Sequence, residues 1–233
     1  EHWSWQLDAE GRRCAYAAID HTGVPQQAPG GGKTEARMAA VAMVFNARSP
    51  FEEQPPKDPH QVRYLAGFHD LDALGLQWRR QAAQVGWDHA ERQIALTDGA
   101  PCLESFIEKN APLAVRILDF YHASQHVAEL ARALAPGDED AFSKLQRKWC
   151  HQLKHEGGQA LLASWESLDQ SNWNGAQREC YRLQEGYLRN NVHRMDYPTY
   201  LARGWMIGSG PVEAACKLVV GGRLKGSGMR WRE

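Results

Sequence analysis

Short apolar runs separated by turn-rich segments fill the first half of the chain. From Arg13 to Asp20, Cys14, Tyr16 and Ala18 share one face of a strand with Asp20, while Ala15, Ala17 and Ile19 share the other; Thr22-Gly23 then reads as a turn. Gln26 to Lys33, with Pro29 and three consecutive glycines, reads as a loop. Glu35 to Phe45 alternates through Ala39, Val41, Met43 and Phe45 as a further strand. Ser49 to His60 holds Pro50, Pro55, Pro56 and Pro59 and is expected to be irregular, before a short strand from Val62 to Phe68. After Asp70 the period becomes helical, with Leu71, Leu74, Trp78 and Ala82 on one face up to about Gly86. Two more strand-like runs, Gln93 to Thr97 and Val115 to Leu118, each finish in an aspartate, Asp98 and Asp119, with a short helix from Cys102 to Asn110 between them. The order β-β-β-α-β-α-β predicts an α/β fold with a mixed sheet and flanking helices.

From Ala123 to about Tyr200 only helical periodicity remains. Val127, Leu130, Ala131 and Leu134 form one stripe, Phe142, Leu145 and Trp149 a second, Leu161, Leu162, Trp165 and Leu168 a third, and Tyr181, Leu188 and Val192 a fourth. Pro136-Gly137, Gly157-Gly158 and Asn172 to Gly175 are the expected breaks. The chain then returns to a compact motif, Gly208-Ser209-Gly210-Pro211-Val212-Glu213, in which Gly210 reads as an N-cap and Pro211 as the first helical residue. Three segments follow: 1–123, a helical insertion over 124–204, and 205–233 rejoining the first.

Composition narrows the functional classes. The 233 residues are 43% hydrophobic, enough for a real core, and 27 Lys and Arg nearly balance 28 Asp and Glu, so nucleic-acid binding would come from local patches. No run approaches the roughly 18 apolar residues of a membrane span, and the first residues lack a signal-peptide pattern, so a soluble, unexported chain is expected. The 5 cysteines are an odd number without a C-x-x-C pair, which fits a reducing compartment better than a disulfide framework. With no initiator Met and no clear helix stop after Met229, the chain reads as a piece of something longer.

Three aspartates at strand ends, Asp20, Asp98 and Asp119, are candidates for a divalent-metal site, because convergent carboxylates need a cation. Each has an ordinary explanation: Asp20 precedes Thr22-Gly23, and Asp98-Gly99 is a common turn dipeptide. Glu213 favours a helix start by complementing the dipole and pairing with Lys217 four residues on, yet a rigid helix start would also aim its carboxylate at a crevice. His122 with His126, and His151 with His155, have helical zinc spacing but no accompanying H-E-x-x-H glutamate, and structural histidines explain them. Gly208-Ser209-Gly210 lacks the length and lysine of a phosphate loop. Trp149, Trp165, Trp173 and Trp205 read as helix-packing residues. Lys217, Arg223, Lys225, Arg230 and Arg232, interspersed with glycines, form a basic end suited to phosphate contacts, with Trp231 able to stack on a base; a solvated surface is the alternative.

In order, Asp20, Thr97-Asp98-Gly99-Ala100, Asp119-Phe120-Tyr121-His122 and Gly208-Ser209-Gly210-Pro211-Val212-Glu213, followed by Arg223-Leu224-Lys225-Gly226-Ser227-Gly228-Met229, resemble the DDE transposases of bacterial insertion sequences, Mutator-like type. The resemblance runs from about Cys14 to Met229. It implies an RNase H-like core, three antiparallel strands plus two parallel, interrupted by the helical insertion. It also implies Asp20, Asp98 and Glu213 as the catalytic, metal-binding triad, with Asp119 and His122 as an accessory signature. Two Mg²⁺ ions, replaceable by Mn²⁺ and about 3.5–4 Å apart, would then serve DNA cleavage and strand transfer. Partners would be double-stranded DNA, both transposon ends and target, held by Lys217, Arg223, Lys225 and Arg230, with a homo-oligomer assembled on it in the bacterial cytoplasm at the nucleoid. His21 stands where the family often has glycine, and an N-terminal DNA-binding region is not visible. An RNase H-like nuclease without strand transfer and a domesticated, non-catalytic DNA-binding derivative are the alternatives.

Overall fold

Strand-forming residues in the first half build one sheet whose central members are buried on both faces. The structure, a computed structural model, describes residues 2–27, 35–47, 61–68 and 70–225. The expected loop around the three glycines, the proline-rich stretch and Arg230, Trp231 and Arg232 of the basic end lie outside the described residues. The chain divides into two units, Glu1–Arg116 with Ser209–Glu233, and Ile117–Gly208. The sequence placed these borders near 123 and 205.

β1 (Gln6–Leu7), β2 (Arg13–Val24), β3 (Arg37–Phe45), β4 (Val62–Gly67), β5 (Arg92–Thr97) and β6 (Val115–Leu118) form a mixed sheet in the order β4-β3-β2-β5-β6, with β1 pairing β2; β1 to β5 belong to the first unit. The β2–β3 and β3–β4 ladders are antiparallel, and β2 runs parallel to β5. The chain passes from the first unit to the second within β6. β1 is too short to show a period in the sequence.

Thr22-Gly23 is not a turn: β2 continues to Val24, with Thr22 opposite Ala39, Gly23 opposite Met38 and Val24 opposite Arg37. Pairing with a partner strand outweighs the local turn preference of a threonine-glycine step. Asp20 is therefore a residue within a strand.

Alternate residues of this sheet serve two layers. Ala15, Ala17 and Ile19 of β2, Ala40, Ala42 and Val44 of β3, and Ala95 of β5 join a core with Leu74, Trp78 and Ala82 of α1 (Leu71–Gln84) and Leu103, Phe106 and Ile107 of α2 (Pro101–Asn110). The many alanines on the strands leave room for the indole of Trp78, whose Nε1–H donates to the Met43 carbonyl at 3.3 Å. Asp70 caps α1 through Ala73 N–H at 2.7 Å, and Pro101 opens α2. The opposite face carries Tyr16, stacked on Phe45 with ring centroids 5.4 Å apart, then Ala18, Asp20 and Thr22 in sequence along β2. Burial on both faces makes β2 and β3 nearly continuous apolar runs.

The second unit is helical: α3 (Phe120–Leu134), α4 (Glu139–Glu166), α5 (Gly175–Asn191) and α6 (Tyr197–Ala202). The expected break at Gly157-Gly158 is a kink inside α4, where Gly157 adopts φ 87° and ψ 174°. Gly158 N–H donates to the Met195 carbonyl at 3.0 Å, so the chain near Met195 inserts where the helix opens. Asn174 and Gln177 form a reciprocal capping box at α5. Trp149, Trp165 and Trp205 are buried, with the Trp149 and Trp165 rings 5.5 Å apart, and Trp173 packs on Tyr181 at 5.4 Å.

The first unit is completed by α7 (Gly210–Ala215), a π-helical turn (Cys216–Gly221) and α8 (Gly222–Leu224). Ser209, rather than Gly210, is the residue before the helix. It gives no side-chain cap; Gly210 is already helical and Pro211 follows it.

Candidate functional site

Strand register brings two of the three candidate acids together. Tyr16 lies opposite Ile94 and Ala18 opposite Leu96 in the parallel ladder; Asp20 continues β2 beyond that pairing, Asp98 directly follows β5, and the Asp98 charge acts on Asp20. Asp98 ends its strand in a turn: its Oδ1 accepts Ala100 N–H at 2.8 Å, and Gly99 takes the left-handed φ of 86° that the reversal needs. The expected turn role of Asp98 and its approach to Asp20 thus coexist.

Asp20 is held at both oxygens. Oδ1 accepts His21 N–H at 2.6 Å, and Oδ2 accepts the Cys216 thiol at 3.8 Å. Burial pushes the Asp20 carboxyl above its ordinary value; the His21 N–H and the thiol work against this, and the negative charge of Asp98 adds to it. A cation beside the Asp20 carboxylate would relieve the cost of ionising it.

Glu213 arrives on the first turn of α7 and is exposed. That helix and the π turn pack on β2, β3 and β4, with Val212, Ala215, Cys216 and Val220 as the buried side. Cys216, three residues after Glu213, is therefore directed to the sheet. Burial, the Asp20 charge and the bond to Asp20 push its thiol up to about 12, and the Glu213 charge contributes. Glu213 and Lys217, the expected helical pair, are both exposed; the π turn begins at Cys216, with Gly222 N–H reaching the Lys217 carbonyl five residues back.

Of the basic residues, Lys217 is exposed, and Arg223 is exposed with its guanidinium donating to the Leu218 and Val219 carbonyls at 3.0 and 3.2 Å. Lys225 Nζ donates to Thr22 Oγ1. Cys216 and Thr22 were missed in the sequence. The available signals were spacing alone: Thr22 follows Asp20 by the two-residue strand period, and Cys216 follows Glu213 by three residues on a helix.

The accessory residues belong to the second unit. Asp119 is buried and caps α3 by accepting Tyr121 N–H at 2.8 Å. The His122 ring packs edge-on against His126 at 5.1 Å and Tyr187 at 5.9 Å, while His126 stacks on Tyr187 at 3.6 Å. His126 Nδ1 pairs with Gln184 Oε1 at 2.5 Å, and burial holds this imidazole below its ordinary range. His151 and His155 are exposed, with rings 4.4 Å apart.

Among the described residues, no group of three or more His, Cys, Asp or Glu side chains is arranged to hold a metal ion. The chemistry of the donors fits a hard cation in part, since Asp20 and Asp98 both offer carboxylate oxygens and the Asp98 charge reaches the half-buried Asp20. Glu213 does not complete a three-ligand group in this arrangement. Among the described residues no helix is long and apolar enough to cross a membrane. No family model matches the chain, and no curated protein matches its sequence.

Proposed function

We propose that this chain is the catalytic core of a DDE-type transposase with an RNase H-like sheet, cutting and joining DNA at transposon ends with Mg²⁺. The observation that carries the reading is the closeness of Asp20, within β2, to Asp98 after the parallel neighbour β5, whose charge acts on it, and the contact of Asp20 with Cys216 just after the helix bearing Glu213. Sheet order supports it as well, since β5 lies beside β2 and β6 one place farther out.

Asp20 and Asp98 would hold the ion, and Glu213 would join them from α7. When bound, a pair of Mg²⁺ ions supplies activation of the attacking hydroxyl and stabilisation of the leaving oxygen. The protein's own contribution is orientation. His21 N–H and the Cys216 thiol fix the Asp20 carboxylate, and the Asp98 turn fixes its partner. Lys217, Arg223, Lys225 and Arg230 would take DNA phosphates, positioning the scissile strand without reading sequence. Water as nucleophile gives cleavage, and a DNA 3′-hydroxyl at the same site gives strand transfer.

The test is Mg²⁺-dependent nicking of duplex DNA by the protein and by Asp98→Asn. Loss of nicking with retained circular dichroism is the expected result. Nicking at the unsubstituted rate would remove Asp98 from the chemistry and overturn the proposal.

A further inference from the structure

Positive charge gathers on one side of the first half of α4. Between Phe142 and His155 the sequence holds Lys144, Arg147, Lys148 and Lys154 and no acidic residue, in a chain whose net charge is only -1. Lys144, Lys148, His151 and His155 follow one another at steps of four, three and four residues, the spacing of a single helical face. All four are exposed, with Arg147, also exposed, and the half-buried Lys154 along one border. Trp149 and Leu153 are buried on the opposite side, and the row ends before the kink at Gly157, so regular helix carries it outward. Among the described residues Lys144, Lys148 and Lys154 form no ion pair, and Arg147 Nε donates to the Ser143 carbonyl at 3.1 Å. Acids stand only at the ends of the row: Asp140 one turn before Lys144, and Glu156, whose Oε2 accepts Gln152 Nε2 at 3.1 Å.

We propose that this face of α4 is a seat for the phosphate backbone of duplex DNA, with the lysines and Arg147 making sequence-independent contacts and the two imidazoles adding N–H donors between them. DNA as the ligand comes from the function proposed above; the contact with α4 needs no metal. Like charges four residues apart oppose a helix, and a polyanion relieves that cost. At the helical rise the row is about 16 Å long, enough to meet successive phosphates, which recur every 3.4 Å of axis on each strand. None of the exposed large apolar side chains among the described residues lies on α4, whereas a protein partner or a membrane surface would need such anchors. The His151 and His155 rings are 4.4 Å apart, as in a two-histidine metal site, but the lysines beside them oppose a divalent cation and favour an anion.

Fluorescence anisotropy of a short labelled duplex in EDTA reads binding without metal or catalysis. Lys144→Gln combined with Lys148→Gln is expected to weaken binding about tenfold near 0.1 M salt and to flatten the slope of log affinity against log salt by about 2, equally for duplexes of unrelated sequence. Lys144→Arg with Lys148→Arg should bind as the unsubstituted protein does, because the contact asks only for charge. Asp98→Asn should also bind normally while failing to nick. Loss of binding in the glutamine variant, together with no nicking by the unsubstituted protein, would support this face and remove the metal chemistry. Unchanged affinity and slope in the glutamine variant would overturn the face whether or not nicking is seen, as would failure of the unsubstituted protein to bind duplex at all. Loss of polyglutamate binding in that variant with duplex binding intact would overturn it too, and assign the face to an acidic protein partner.

Discussion

The Cys216 thiol donates to Asp20 Oδ2 at 3.8 Å, joining the helix that carries Glu213 to the strand that carries Asp20. Residues 196 positions apart in sequence are thereby made neighbours within the first unit. The contact fixes one carboxylate oxygen while backbone fixes the other, and it sets the chemistry of both partners.

Ionising Asp20 should cost the fold stability. Its folded-state carboxyl is raised, so the native state binds its proton more tightly than the unfolded chain does, and this contribution to stability is lost as pH rises through the shifted value. Above that value the ionised, half-buried group opposes folding. Asp20→Asn should therefore raise the melting temperature at pH 7 by roughly a degree or two in metal-free buffer. The gain should shrink as pH falls and vanish below the ordinary carboxyl range. Thermal scans from pH 3 to 8 check this, and a gain that grows on acidification would contradict it.

Cys216 should be chemically silent. A thiol pushed up to about 12 and buried against a carboxylate holds almost no thiolate at neutral pH. All five cysteines are free, with Cys102 exposed and Cys14 and Cys216 buried. Iodoacetamide at pH 7.5 followed by peptide mass spectrometry should label Cys102 first and Cys216 only in denaturant. Early labelling of Cys216 would mean that the contact with Asp20 is not maintained.

Mn²⁺ should act on stability through the acid pair. A ligand that binds only the folded protein stabilises it by mass action, so millimolar Mn²⁺ should raise the melting temperature of the unsubstituted protein and leave Asp98→Asn unaffected. Calorimetry with and without the ion makes the comparison, and an equal rise in both proteins would place the ion elsewhere.

The kink in α4 should not tolerate a methyl group. A Cβ on Gly158 would lie 2.8 Å from the Met195 Cβ, which cannot swing aside as a side-chain tip can. Gly158→Ala should cost about 1–3 kcal/mol, read as a lowered urea midpoint. Loss of the capping box in Asn174→Ala should cost about 1 kcal/mol by the same measurement. A Gly158→Ala midpoint equal to that of the unsubstituted protein would show that the chain at Met195 yields freely.

Local chemistry determined much about this protein. The helical period of Leu71, Leu74, Trp78 and Ala82 placed α1, apolar runs placed five of the strands within a few residues of their ends, and Gly157-Gly158 marked the bend in α4, because each signal acts over a few residues. The sequence also singled out Asp20, Asp98 and Glu213 by type and order. Tertiary structure alone decided the rest. Pairing with β3 carried β2 through Thr22-Gly23 and made Asp20 an in-strand residue; parallel pairing with β5 brought the Asp98 charge to bear on it; and the segment after α7 brought Cys216 to Asp20 and Lys225 to Thr22. Those contacts join residues far apart in the chain, and their free energy arises only when the strands and the last helix pack together, so no window of local sequence contains it.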